Sequence, residues 1–113
     1  MACILLVEDD DDVRLVIHEA LHQAGHIVSV AVDVAQARAA LATLACDLLV
    51  TDIILRGGDG FQLAALAAER GIRTLFVTGA PVHVDRLSAM GAPHLAKPFR
   101  LRDVVAAVAN LLA

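Results

Sequence analysis

The chain has 113 residues, 58% hydrophobic and 19% charged; this suits one domain with one core, is too short for two, and lies far from the composition of disordered chains. Thirteen acids against nine bases leave a net charge of −4, and with only Phe61, Phe76 and Phe99 as aromatics there is neither a basic surface nor a stacking platform, so no direct nucleic-acid binding is expected. The longest apolar run, Met1 to Val7, is far below the roughly 20 residues of a membrane span and follows no basic segment, so a cytoplasmic protein without a membrane segment is expected.

In chain order, short apolar runs of strand length alternate with longer segments of helical period. The first run, Cys3–Val7, leads into five acids, Glu8 to Asp12. They open a helix predicted over Asp11–Ala24, where Val13, Val16, Ile17, Ala20, Leu21 and Ala24 recur at three- and four-residue steps. Gly25 stands where a left-handed C-cap belongs. A strand follows at Ile27–Val32, then a helix at Val34–Leu44 with Asp33 as N-cap. The pattern continues with a strand at Leu48–Thr51, a helix at Gly60–Arg70 and a strand at Thr74–Thr78. A helix at Val82–Met90, a strand at His94–Ala96 and a helix at Leu101–Leu112 complete it. No repeat or linker divides the chain, so residues 1–113 are expected to form one domain. Cys3 and Cys46 lie in apolar runs without metal-ligand spacing and read as core hydrophobes.

Strict strand-helix alternation predicts an α/β fold: a doubly wound parallel sheet of five strands with helices on both faces, because each parallel crossover needs a helix. Ligands of such sheets bind outside the carboxyl ends of the strands. There stand Glu8 and Asp9 after the first strand, Asp52 after the third, Thr78 at the end of the fourth, and Lys97 with Pro98 after the fifth. Converging carboxylates repel one another unless a cation sits among them, and their hard oxygens suit Mg²⁺. Lys97 is the only lysine beside eight arginines, which points to a need for a compact point charge at that place. With these neighbours Asp52 reads as a nucleophile that forms an acyl phosphate, with Lys97 and the Thr78 hydroxyl donating to phosphoryl oxygens. His18, His22 and His26 stand at four-residue steps but do not read as a metal site, because Gly25 ends the helix before the third and no carboxylate or cysteine completes a shell; His18 and His22 read as solvent-side residues.

The segments Ile4–Asp10, Thr51–Phe61, Phe76–Ala80 and Lys97–Phe99 together resemble the receiver domain of two-component response regulators, in order and over almost the whole chain. The resemblance implies the strand order 2-1-3-4-5, with Asp52 as phosphoacceptor and Mg²⁺ held by Asp9, Asp52, the Ile54 backbone carbonyl and, through water, Glu8. It implies a cis Lys97–Pro98 peptide, Thr78 and Lys97 in the conserved hydroxyl and lysine positions, and His94 where the family usually has an aromatic switch residue. Arg14, Leu15 and His18 would face a histidine kinase or histidine phosphotransfer protein, and phosphorylation would change binding of a downstream protein or of a second copy. Two arrangements stay open, a stand-alone receiver and the receiver part of a longer transcriptional regulator or enzyme.

The chain departs from the family pattern at Arg56 and Gly58, where a proline and a bulky apolar residue are usual, so a looser loop after Asp52 is expected. The intervals from Asp52 to Thr78 and from Thr78 to Lys97 are also short. Short third and fourth helices are therefore expected, the fourth, Pro81 to Met90, partly irregular.

Overall fold

The structure of the protein is a computed structural model, which describes residues 2–113. Five strands form the main sheet: β1 (Cys3–Val7), β2 (Ile27–Ala31), β3 (Leu48–Asp52), β6 (Arg73–Thr78) and β7 (His94–Ala96). A hairpin of β4 (Ile54–Leu55) and β5 (Gly58–Asp59) lies between β3 and β6 in the chain. The helices are α1 (Asp11–Gln23), α2 (Val34–Thr43), α3 (Gly60–Glu69), α4 (Pro81–Met90) and α5 (Leu101–Leu112). All pairings in the main sheet are parallel and the order is β2-β1-β3-β6-β7, the implied 2-1-3-4-5 once the hairpin is set aside.

Because side chains alternate across a strand, each central strand feeds two cores. Ile4 and Leu6 of β1, Leu48 and Val50 of β3, and Leu75 and Val77 of β6 pack with Ile17, Leu21, Val104 and Val108 of α1 and α5. Leu5, Val7 and Leu49 point the other way, onto Ala37 and Leu41 of α2 and Leu63 and Ala67 of α3. All five residues of β3 are buried, which explains an apolar run without polar alternation. Each fully buried Leu or Ile contributes about 1.5–3 kcal/mol of transfer free energy, so the three central strands anchor the rim that follows them. A third, smaller cluster of Ile53, Phe76 and Leu87 lies under α4.

The helix signals act through identifiable groups. The Asp10 carboxylate accepts from the Asp12 and Val13 N–H groups, and Asp33 accepts from Gln36. Asp59 and Gln62 make a reciprocal capping box at α3, legible in Asp-x-x-Gln yet absent from the sequence reading. Two expectations need correction. The loop after Asp52 is not loose: Ile54 pairs with Asp59 and Leu55 with Gly58. Gly57, at φ +86°, turns the hairpin, and the Arg56 carbonyl accepts from the Val34 N–H of α2 at 3.1 Å. Gly57 and Gly58, at φ +86° and +157°, supply backbone angles that a bulky residue at 58 would not. α4, short as expected, is a regular helix rather than a partly irregular one, opened by Pro81 at its first turn and closed by left-handed Gly91.

Candidate functional site

Register alone brings the rim together. Val7 is level with Thr51, Asp52 with Val77, and Thr78 with Ala96; Glu8, Asp52, Thr78 and Lys97 therefore leave the sheet on the same edge. The Lys97 ammonium donates to Asp52 Oδ2 at 2.7 Å and to Glu8 Oε2 at 3.2 Å. These partners lie 45 and 89 positions away in sequence. Carboxylate oxygens of Glu8, Asp9 and Asp52 all lie within 4.8 Å of one another, so a single cation can contact all three.

Burial sets the electrostatics. Glu8 is 1% exposed, and its pKa is raised above the usual carboxylate range, first by desolvation and then by the Asp52 charge, against the lowering pull of Lys97. Burial alone would lower the pKa of Lys97, but hydrogen bonds and charges from Asp52 and Glu8 outweigh it and raise the value. One ammonium bonded to two of the three carboxylates leaves negative charge in a partly desolvated place, and a divalent cation with oxygen preference answers that need. The donor set therefore fits Mg²⁺.

Thr78 is buried at the end of β6, with its Oγ1 accepting from the Ala80 N–H at 3.3 Å. Its carbonyl accepts from the Lys97 N–H at 2.8 Å, so the hydroxyl and the lysine share one anchor. The Lys97–Pro98 peptide is cis. Asp52 Oδ1 accepts from the Ile53 N–H at 2.6 Å, and the Thr51 hydroxyl, wholly buried, donates to the Asp52 carbonyl at 2.9 Å. The Ile54 side chain, on the hairpin, is 63% exposed.

His94 is half-buried on β7. Its Nδ1 lies 2.8 Å from the Ala92 carbonyl and its Nε2 3.4 Å from the Ser88 hydroxyl; since the carbonyl can only accept, Nδ1 carries a proton and Nε2 is free to accept from Ser88. Leu15, 60% exposed, and His18 stand on the outer side of α1, where His18 and His22 stack at 6.1 Å between ring centroids. Arg14, the third member of the expected docking trio, is less open: its side chain is 18% exposed and its fork turns back onto the loop after β1. Sequence reading missed this contact, since nothing in the spacing distinguishes Arg14 from any other arginine on a helix.

A family model for the response regulator receiver domain matches residues 4–109. The chain belongs to this family. It is 36% identical over 117 residues to the response regulator receiver protein CpdR of Brucella abortus, a match that covers 99% of this chain and 98% of that protein. It is 34% identical to the transcriptional regulatory protein TrcR of Mycobacterium tuberculosis, where 96% of this chain spans 44% of the relative. Among solved structures, the non-phosphorylated HemR receiver domain of Leptospira biflexa superposes with a TM-score of 0.86 at 29% identity, covering 100% of this chain and 95% of that one. A putative response regulator from Chloroflexus aurantiacus gives 0.87 at 29% identity, covering 98% and 97%. As a response regulator receiver domain of two-component systems, the chain is a signalling regulator, and no helix among the described residues is long and apolar enough to cross a membrane.

Proposed function

We propose that the whole chain acts as one receiver that accepts a phosphoryl group onto Asp52 from the phosphohistidine of a histidine kinase or a histidine phosphotransfer protein. The observation that carries this reading is the Lys97 ammonium shared between Asp52 and Glu8, with the Asp9 carboxylate beside them. Asp9, Asp52, the Ile54 carbonyl and, through water, Glu8 would hold Mg²⁺. When bound, the ion neutralises charge on the carboxylates and on the incoming phosphoryl oxygens. Asp52 Oδ2 attacks phosphorus, the P–N bond of the donor breaks, and the histidine nitrogen leaves with the electron pair and takes a proton from solvent. Lys97 passes from Asp52 Oδ2 to a phosphoryl oxygen, and the Thr78 hydroxyl, now only an acceptor from Ala80, turns to donate to another. Positioning and charge supply the catalysis, as phosphoryl transfer requires.

The donor docks on the α1 side of the site, against exposed Leu15 and half-buried His18, with Arg14 at the margin. Val16 and Leu101, 46% and 40% exposed, continue this apolar strip, which suits a protein partner. His94 is the switch: an inward turn on phosphorylation gives up its contacts to Ala92 and Ser88, loosening β7 from α4 and altering the face offered to a downstream protein or a second copy. NMR of the His94 ring with and without beryllofluoride reads that change, and identical ring shifts in both states remove the switch role.

The central test is incubation with acetyl phosphate and Mg²⁺ followed by intact-protein mass spectrometry. One Mg²⁺-dependent phosphoryl adduct is expected on the unmodified chain, less on Asp9→Asn and none on Asp52→Asn. An unmodified chain without an adduct overturns the proposal.

A further inference from the structure

The junction between β1 and α1 is three residues long, Glu8, Asp9 and Asp10, and it presents two of the three clustered carboxylates. Its conformation therefore sets their aim. Within the junction and the helix, Asp10 caps α1 and the Asp10 N–H donates to Glu8 Oε1 at 3.3 Å, while the Glu8 N–H donates to the Ala31 carbonyl of β2 at 3.2 Å. A further tie comes from Arg14, whose Nη1 donates to the Glu8 backbone carbonyl at 2.9 Å while Nη2 donates to Asp11 Oδ1 at 2.5 Å.

These two contacts differ in use. Asp11 is 86% exposed, so its ion pair contributes little stability and serves to orient the guanidinium. The Glu8 carbonyl belongs to the same peptide plane as the Asp9 N–H, so a bond to it holds the plane from which the Asp9 Cα and side chain depart and narrows their directions. The bonded residue is also the one whose carboxylate is almost wholly buried against Lys97. A planar fork reaches the two oxygens from two different nitrogens held at a fixed spacing, whereas an ammonium is a single point charge on a flexible stem.

We propose that Arg14 is a positioning residue for the divalent cation: by clamping the Glu8 carbonyl against the first turns of α1, it holds the Glu8 and Asp9 carboxylates facing Asp52. This rests on the reading of Glu8, Asp9 and Asp52 as the Mg²⁺ centre. Groups that orient metal ligands typically govern affinity by about 10- to 100-fold. A charge effect has the opposite sign, because a guanidinium beside three carboxylates disfavours a second cation and its removal then tightens binding.

The test is calorimetric titration of Mg²⁺ into the full chain and into Arg14→Ala and Arg14→Lys, with thermal melts in parallel without Mg²⁺. Both variants are expected to bind Mg²⁺ about tenfold more weakly, with the amide resonances of Glu8, Asp9 and Asp10 displaced in ¹⁵N NMR spectra. Their reaction with acetyl phosphate should be most impaired at low Mg²⁺ and recover as Mg²⁺ is raised. Arg14→Lys keeps the charge and most of the stem, so it supplies the answer if Arg14→Ala does not fold. Variants that bind Mg²⁺ as tightly as the parent, or more tightly, overturn the inference and leave the metal centre standing. A parent chain that takes up no Mg²⁺ overturns the reading of the centre and this inference with it.

Discussion

Replacing Gly60 by alanine tests how closely α3 is drawn to β3, the strand that ends in the proposed phosphoacceptor Asp52. A Cβ on Gly60 would stand 2.2 Å from the Asp52 carbonyl oxygen, 3.1 Å from its carbon and 3.2 Å from the Ile53 Cα. All three obstacles are backbone, so no side chain can swing away. Relief requires the start of α3 and the end of β3 to part by about 1 Å, given the 3.5–4.0 Å that non-bonded carbon contacts prefer. That movement strains the Gly60 N–H bond to the Ile53 carbonyl, 2.8 Å long. Overpacking of this kind costs about 1–3 kcal/mol, which for a domain of this size lowers the melting temperature by roughly 10 °C. Because the two nearest of these atoms belong to Asp52 itself, phosphorylation from acetyl phosphate should also slow, by about 100-fold for a displacement near 1 Å. Far-UV circular dichroism is the stability assay, since the chain has no Trp or Tyr, and intact-protein mass spectrometry follows the adduct. Gly79→Ala is the control: its Cβ would meet only Lys97 side-chain carbons at 3.7 and 3.9 Å, an ordinary contact. A Gly60→Ala protein that melts with the parent and is phosphorylated at the parental rate would refute the close-approach argument.

Lys97→Ala strands the Glu8 and Asp52 carboxylates and should destabilise the Mg²⁺-free protein by roughly 2 kcal/mol, below the 3–5 of fully buried pairs because the lysine side chain is partly exposed. Saturating Mg²⁺ should recover most of the loss, and equal losses in melting temperature with and without Mg²⁺ contradict the pairing. In the parent, the raised Lys97 pKa means that the stabilisation is complete below pH 10.5 and disappears as pH climbs through the folded value; an alkaline melting series shows it. The acyl phosphate should be long-lived, since neither Ile54 nor Ala80 can hydrogen-bond an attacking water, and Ile54→Asn or Ala80→Glu should hasten its decay by about tenfold or more. Unchanged decay in both variants rejects the water-positioning argument. Burial first, and Cys3 beside it second, push the Cys46 thiol up to about 11 from 9.0; iodoacetamide at pH 8.5 should alkylate Cys46 at least about tenfold more slowly in the folded chain than in urea. The same shift favours unfolding as pH rises from 9 toward 11, because only the unfolded chain then gains the thiolate.

Local signals in the sequence determined the element order, the sheet type and the identity of the rim residues. Apolar runs, three- and four-residue periodicity, Asp33 before α2 and Gly25 after α1 act over a few residues, so their meaning survives without a partner. Parallel alternation then carries Glu8, Asp52, Thr78 and Lys97 to one edge, because register requires no knowledge of side-chain packing. Distances within the site have a different origin. That one ammonium reaches both Asp52 and Glu8, that Gly60 leaves no room for a methyl group beside the Asp52 carbonyl, and that Arg14 bends back to the Glu8 carbonyl are all set by how the helices seat on the sheet. The closed hairpin Ile54–Asp59 belongs with these, since its tie to α2 through Arg56 and Val34 exists only once both segments are packed. Such contacts follow from three-dimensional packing of distant segments, which periodicity and spacing along the chain do not encode.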